Sequence, residues 1–420
     1  MGNFLKTGNE RKGEKSIQES IKWFYEQEDM RDNPTAYFFD LRAIRANIKR
    51  LAQDMPKQVQ AYYAMKANPN RDVMRCIGEM DFIKGVEIAS AGELGLALNY
   101  YKSDNIIFTG PGKTEYELRN AIDNRIKYIN IESIVEAVRV NNIAKALKRE
   151  YVDVLLRINL NYAGIKEAER MAGYSTKMGI DEDEFVESFQ KIRGLERIRV
   201  KGIHAFAASG ILDYQALLDA DKYIFELVMQ LQRIFEDMPV IDFGGGLGID
   251  YSNERREFDI ERYKEGLAEL IEKYRFHEKE IIMELGTYIT GNAGYYTAKI
   301  IDIKKVKGKK HIIIAGGVNH MGLPLEMRRK HPVEIISMNV PKLYAGQPGV
   351  YSEIADISGP LCIVSDKLYW DEKIEKAEIG DIVIFYQAGA YCFEEGMHKF
   401  LMHELPAVKI FDVPEEEYSV

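Results

Sequence analysis

The stretch Ala61-Tyr62-Tyr63-Ala64-Met65-Lys66-Ala67-Asn68-Pro69-Asn70 is an apolar run, then a lysine, then a turn. Its first five residues read as a buried β-strand, and the asparagines and proline of 67–70 read as a chain reversal. A lysine at the carboxyl end of a buried strand is where a barrel enzyme presents a reactive amine. Taken alone, the segment describes a surface lysine after an edge strand at least as well. The rest of the chain decides between them.

Short β-branched or aromatic runs recur at 62–65, 86–89, 105–108, 128–131, 152–158, 198–206, 240–243 and 281–284. Helical periodicity fills 41–54, 70–80, 91–100, 114–123, 133–149, 182–193, 213–237 and 258–274. Eight strand–helix alternations over about 240 residues predict an α/β fold, a (β/α)8 barrel over 41–285. From Tyr295 onward come YYTAKIIDIKKV, HIIIAGG, DIVIFYQAGAYC and VKIF, with few helical stretches. These predict a β-rich second domain formed by 1–40 and 286–420. The extended stretch Ala36–Phe39 precedes the barrel and is a candidate to pair into it.

Composition sets the outer bounds. The 420 residues are 46% hydrophobic and 29% charged, an ordinary globular balance, and the net charge of −9 argues against nucleic acid as a partner. Cys76, Cys362 and Cys392 are too few and too scattered for a disulfide scaffold or a zinc site, which fits a reducing cytoplasm. The opening MGNFLKTGNERKGEK lacks the apolar core of a signal peptide. Gly2 invites a myristoylation check, but Lys6 stands where Ser or Thr is needed. No apolar run approaches the roughly 20 residues that span a bilayer. A cytoplasmic protein with no membrane partner is expected.

Read in order, the strand ends present Lys66, Glu87–Ser90, Thr109–Gly112, Glu132, Arg157, His204–Ser209, Gly244-Gly245-Gly246 and Glu284. The glycine triplet follows strand seven, where barrels commonly build a phosphate site from backbone N–H groups. It is not a dinucleotide fingerprint, because Ile249 takes the third glycine position, and alone it reads as a tight turn. A lysine able to form a Schiff base, a phosphate cradle and a carboxylate for a ring nitrogen are together what pyridoxal phosphate requires.

Seven segments carry a resemblance: YYAMKAN (62–68), GVEIASAGEL (85–94), FTGPGK (108–113), DFGGGLG (242–248), MELGTYI (283–289), SGPLC (358–362) and AGAYC (388–392). In this order they resemble the fold-type III pyridoxal-phosphate enzymes: ornithine, diaminopimelate and arginine decarboxylases and, more distantly, alanine racemase. NIIFTGPGKTEYEL, STKMGIDEDEF, DIKKVKG and FLMHELPAVKI resemble the branch that works in siderophore and antibiotic assembly, the staphyloferrin-type and butirosin-type decarboxylases. The resemblance implies that Lys66 forms the Schiff base with the cofactor and Glu284 pairs with its ring nitrogen. Gly244, Gly245, Gly246 and Tyr391 would hold the phosphate. Cys362 would donate the proton to Cα from the partner subunit of a head-to-tail homodimer with shared active sites, with Asp366 contributing there. An acid at the ring nitrogen implies decarboxylation, since the racemases of the family carry an arginine. Burial beside the cationic cofactor is expected to lower the pKa of Lys66.

Three positions depart from that pattern. Phe206 stands where the amino-acid decarboxylases stack a histidine on the cofactor ring; stacking and plain core packing both remain open for it. Gly286 is followed by Thr287 in place of a phosphate-binding arginine, which removes a contact worth about 1.5–3 kcal/mol unless Ser209 or Thr287 itself substitutes. Ile363 follows Cys362 where ornithine and diaminopimelate decarboxylases place an acid for the distal charge of the substrate.

Among the other candidates, His204 reads as a buried, hydrogen-bonded strand residue. Arg157 either orients the strand-end network or holds a substrate carboxylate. His320 lies in GGVNHMGLPLEMRRKHP, a loop that the resemblance puts near the substrate, although Arg328, Arg329 and Lys330 suit a solvated basic loop equally well. Cys76 and Cys392 read as core packing. The leading expectation is decarboxylation of an L-amino-acid moiety in a conjugated intermediate of secondary metabolism. The runner-up is a diaminopimelate, ornithine or lysine decarboxylase. A cofactor-poor binding protein is the alternative of another class, which Thr287 and Phe206 keep open.

Overall fold

Eight strands run parallel in chain order: Val59–Ala64, Ile83–Ile88, Ile106–Phe108, Tyr128–Ile131, Val152–Asn159, Ile198–Ala205, Val240–Asp242 and Glu280–Leu285. Each pairs with the next, and the eighth pairs with the first from Ile281↔Val59 to Leu285↔Tyr63, so the sheet closes on itself. Strands covered on both faces need near-continuous apolar sequence, and runs such as Tyr128–Ile131, buried throughout, supply it. This computed structural model describes residues 17–27, 34–165, 169–170, 172–235, 238–252, 256–324 and 330–412. Gly2, Lys6, Arg328 and Arg329 lie outside the described residues.

A helix follows each of the first seven strands, and Leu41–Ala52 precedes the first. Their starts are written locally. Ser90, Thr114 and Ser133 each accept the N–H of a glutamate three residues on, Glu93, Glu117 and Glu136, and Thr114 with Glu117 forms a full capping box. Inside the ring, Tyr62, Ile107, Tyr128, Leu155, Val240 and Ile282 form one buried cluster. Below it, Lys127 bridges Glu280 at 2.6 Å and donates to the Tyr62 hydroxyl at 3.0 Å, while the Tyr128 hydroxyl donates to Glu280. Polar groups therefore plug the amino end of the barrel, and the carboxyl end is left for chemistry.

The second unit is a mixed sheet in the order Val333–Ile336, Ile382–Phe385, Gly294–Val306, Lys309–Ile314, Val350–Ser358 and Lys367–Ala377. Strand Thr35–Asp40 belongs to it, pairing antiparallel with Gly294–Val306 from Thr35↔Ala298 to Phe39↔Gly294. This corrects the expectation that Ala36–Phe39 pairs into the barrel: the ring is already closed and offers no free edge. The barrel unit comprises Asp40–Ala293 together with Gly389–Tyr391. That last tripeptide, assigned from sequence to the β-rich part, is held by the turn after the first strand. Asn68 Nδ2 donates to the Gly389 carbonyl at 2.9 Å, and the Tyr391 N–H donates to the Ala67 carbonyl at 2.7 Å.

Candidate active site

The first strand ends at Ala64, and the chain turns through the short 3-10 segment Met65–Ala67, which leaves Lys66 at the carboxyl end of the barrel. Its Nζ donates to both oxygens of Glu87, at 3.0 and 2.9 Å. Glu87 stands near the end of the second strand and is fully buried. Burial works to lower the lysine pKa, but the Glu87 carboxylate, with Tyr391 and Glu284 behind it, outweighs burial and raises it. A buried carboxylate favours the ammonium form, and the expected lowering depends on the cationic cofactor beside the amine.

Tyr391 has a left-handed backbone, φ 63°, an uncommon conformation for a residue with a side chain. Its hydrogen bond to Ala67 holds it there, and its hydroxyl lies 3.3 Å from where a Cβ on Gly286 would stand. Thr287, half-buried, opens the short helix Thr287–Thr290 directly after.

Asp242 ends the seventh strand and starts the glycine turn. Its Oδ1 accepts the Gly244 N–H at 2.9 Å, and the Gly244 carbonyl accepts the Glu284 N–H at 2.7 Å. A Cβ on Gly245 would stand 2.0 Å from the Glu284 carbonyl oxygen, so only glycine fits. Gly246 needs φ 125°. A Cβ on Gly244 would meet the Phe206 ring at 2.7 Å. Phe206 therefore lies along the turn, and it is only partly buried. Ser209, also partly buried, sits in the two-residue strand Ala208–Ser209.

Beneath this turn lies a polar cluster. Glu284 Oε1, Asp242 Oδ2 and both ring nitrogens of His204 are buried without a hydrogen-bond partner among the described residues. One ligand-type atom from each of the three residues falls within 4.8 Å of the others. The sequence reading of His204 is corrected in part: it is a buried strand residue, but its ring has no hydrogen-bond partner among the described residues. Burial, then Asp242 and Glu87, push Glu284 well above the carboxylate range. Burial also raises Asp242, against the Gly244 N–H that favours its anion. Burial, followed by Arg157, Lys66 and Lys113, keeps His204 neutral.

Arg157 belongs to a strand-end network. Its Nη1 donates to Glu132 Oε1 at 3.1 Å, and Glu132 also accepts the N–H groups of Gly110 and Gly179, at 3.2 and 2.8 Å. Beside it, Lys113 is buried against Glu136 at 2.8 Å. Cys76 packs in the barrel unit, its thiol 3.8 Å from the Leu41 carbonyl.

The remaining candidates lie in the second unit. Cys362 is exposed in the turn after Val350–Ser358. Asp366 is buried and grips that turn: its two oxygens accept the N–H groups of Leu361 at 2.7 Å and Val318 at 2.8 Å. His320 is buried with both ring nitrogens engaged, by the Tyr296 hydroxyl at 3.1 Å and the Glu404 carbonyl at 2.8 Å. Cys392 is buried, 3.7 Å from His331 Nε2. Sequence reasoning gave no role to Glu87 or Asp242. Glu87 stood only among the strand-end residues, and Asp242 only inside the DFGGGLG segment.

An amine at a strand end, a glycine turn at the end of the seventh strand, an aromatic ring beside that turn and a buried carboxyl oxygen with no hydrogen-bond partner fit pyridoxal phosphate. Residues 41–291 match the family described as pyridoxal-dependent decarboxylase, pyridoxal binding domain. The chain belongs to the pyridoxal-phosphate-dependent decarboxylases.

This decarboxylase is 30% identical over 371 residues to the 2-[(L-alanin-3-ylcarbamoyl)methyl]-2-hydroxybutanedioate decarboxylase of Staphylococcus aureus, covering 88% of this chain and 92% of that one. It is 28% identical to the L-glutamyl-[BtrI acyl-carrier protein] decarboxylase of Niallia circulans, covering 88% and 87%. Among solved structures, diaminopimelate decarboxylase from Methanocaldococcus jannaschii in complex with L-lysine is similar, with a TM-score of 0.77, 25% identity and coverage of 90% and 86%. The barrel with its separate mixed sheet is thus the alanine-racemase-like architecture of these enzymes, and pyridoxal phosphate is the cofactor. No helix among the described residues is long and apolar enough to cross a membrane.

Proposed function

We propose that this decarboxylase removes the α-carboxyl group of an L-amino-acid moiety carried in a conjugated intermediate of siderophore or other secondary-metabolite biosynthesis. Ile363 carries the reading: the residue after Cys362 is apolar and has no charge with which to pair a distal ammonium. The substrates of the S. aureus and N. circulans relatives, one a carbamoyl-linked alanine and one bound to a carrier protein, support the same direction.

In this reading Lys66 carries the cofactor, and its phosphate rests on Gly244, Gly245 and Gly246 with Ser209 and Tyr391. Gly286 and Thr287 serve the same end, a hydroxyl and backbone N–H groups replacing an arginine. Phe206 faces the ring, and Glu284 pairs with its nitrogen. The bound cofactor supplies the electron sink for the pair left at Cα when CO2 departs. Arg157 keeps the strand-end network in register beside the substrate. Cys362 of the partner subunit delivers the proton to Cα in a cytoplasmic homodimer, with Asp366 and His320 shaping the loops near the substrate.

The test is CO2 release from three substrate sets at matched concentration: citryl-linked amino acids, carrier-bound aminoacyl thioesters, and free diaminopimelate, ornithine and lysine. Turnover of a conjugate with negligible turnover of the free amino acids is expected. Turnover of free diaminopimelate alone would replace this reading with the basic amino-acid decarboxylase.

A further inference from the structure

The cluster under the glycine turn contains more acid than its surroundings can ionise. Asp242 is fully buried and Glu284 nearly so, and one carboxylate oxygen of each falls within 4.8 Å of the other and of a ring nitrogen of His204. Two carboxylates at that separation in a buried site cannot both carry charge cheaply. His204 is not their counter-ion: it is neutral, and its Nε2 is 3.9 Å from Glu284 Oε1. Lys66 is the near cation, but Glu87 occupies it through both oxygens. Arg157 is paired with Glu132 and Lys113 with Glu136. A proton on the acid pair resolves the cluster, because it turns one orphaned oxygen into a donor for the other.

The two acids differ in what holds their anions. Asp242 accepts a backbone N–H from Gly244, while Glu284 Oε1 has no donor. We infer that Asp242 and Glu284 hold one proton between them, and that Glu284 gives it up when the protonated ring nitrogen of the cofactor takes its place beside that carboxyl. In that step the Glu284 O–H bond breaks and the proton leaves to solvent. The Glu284 carboxylate then pairs with the ring N–H, so binding at neutral pH exchanges a shared proton for an ion pair. Asp242 is then a positioning residue with two tasks. It anchors the phosphate turn through Gly244, and its negative charge keeps the proton on Glu284 until the ring arrives. This inference rests on the proposed pairing of Glu284 with the ring nitrogen.

Infrared difference spectroscopy of the full-length protein, with and without pyridoxal phosphate at neutral pH, tests it. The expected result is the loss of one carboxylic-acid C=O stretch on cofactor binding, a stretch missing from Glu284→Gln. In the cofactor-free protein the same stretch should titrate at a pH lower by more than about one unit in Asp242→Asn, whose amide oxygen can still accept the Gly244 N–H. A purely structural role for Asp242 would leave that midpoint in place. An unchanged midpoint, or an acid band that survives cofactor binding, overturns the inference and leaves the decarboxylase reading standing. Should the wild-type protein form no borohydride-reducible adduct at Lys66, the reading and the inference fall together. The wild-type binding spectrum keeps the test decisive if Asp242→Asn does not fold.

Discussion

Glu87 and Lys66 set the protonation state from which the cofactor is captured. A lysine attacks as the free amine, and Glu87 favours the ammonium. Glu87→Gln should therefore speed the growth of the borohydride-reducible absorbance at pH 8, by about tenfold for each unit that the lysine pKa falls. An unchanged rate in folded Glu87→Gln would show that Glu87 does not govern capture. His320 makes a prediction of the opposite sign. Burial, only partly offset by its hydrogen bond to the Glu404 carbonyl, lowers its pKa from 6.5 to about 4. Between these values the unfolded chain binds the proton and the folded chain does not. The stability His320 contributes is therefore complete above 6.5 and is lost as pH falls toward 4. That loss amounts to roughly 3 kcal/mol at most. Denaturant melts across this window should show a shallower acid limb for His320→Gln than for the wild type.

At the scale of elements, the turn after the seventh strand is fixed by what surrounds it. Gly245 abuts the Glu284 carbonyl, so Gly245→Ala must move backbone and not a flexible side chain. A cost of roughly 1–3 kcal/mol is expected, together with at least a tenfold rise in the cofactor Kd measured by titration of the visible absorbance. Tyr391 is a gentler probe. Tyr391→Phe keeps the ring and the N–H bond to Ala67, so the melt should be little changed while the cofactor Kd rises several-fold. Equal Kd values for the two proteins would remove the hydroxyl from the phosphate site.

For the whole molecule, the proposed sharing of active sites between subunits makes a quantitative prediction. Lys66→Ala and Cys362→Ala should each be inactive as homodimers. When the two are mixed and allowed to exchange subunits, half the dimers are mixed and each regains one intact site. About a quarter of wild-type activity should then return, following from two-fold symmetry. No recovery after verified exchange would place each site within one chain.

Much of this protein is determined by local sequence. The eight strand runs and the glycine triplet are legible because strand burial and glycine turns depend on residues a few positions apart. Lys66 and Glu284 are legible as strand-end residues for the same reason. What the sequence leaves open is who meets whom across the ring. The pairing of Glu87 with Lys66, which raises the lysine pKa, joins two different strand ends. Asp242 and His204 look like ordinary strand residues until barrel closure sets them beside Glu284. Thr35–Asp40 reads as a strand either way, and only the closed ring excludes it from the barrel. Charge on a buried group depends on its neighbours in space and on the water it has lost, and those are properties that only the tertiary structure decides.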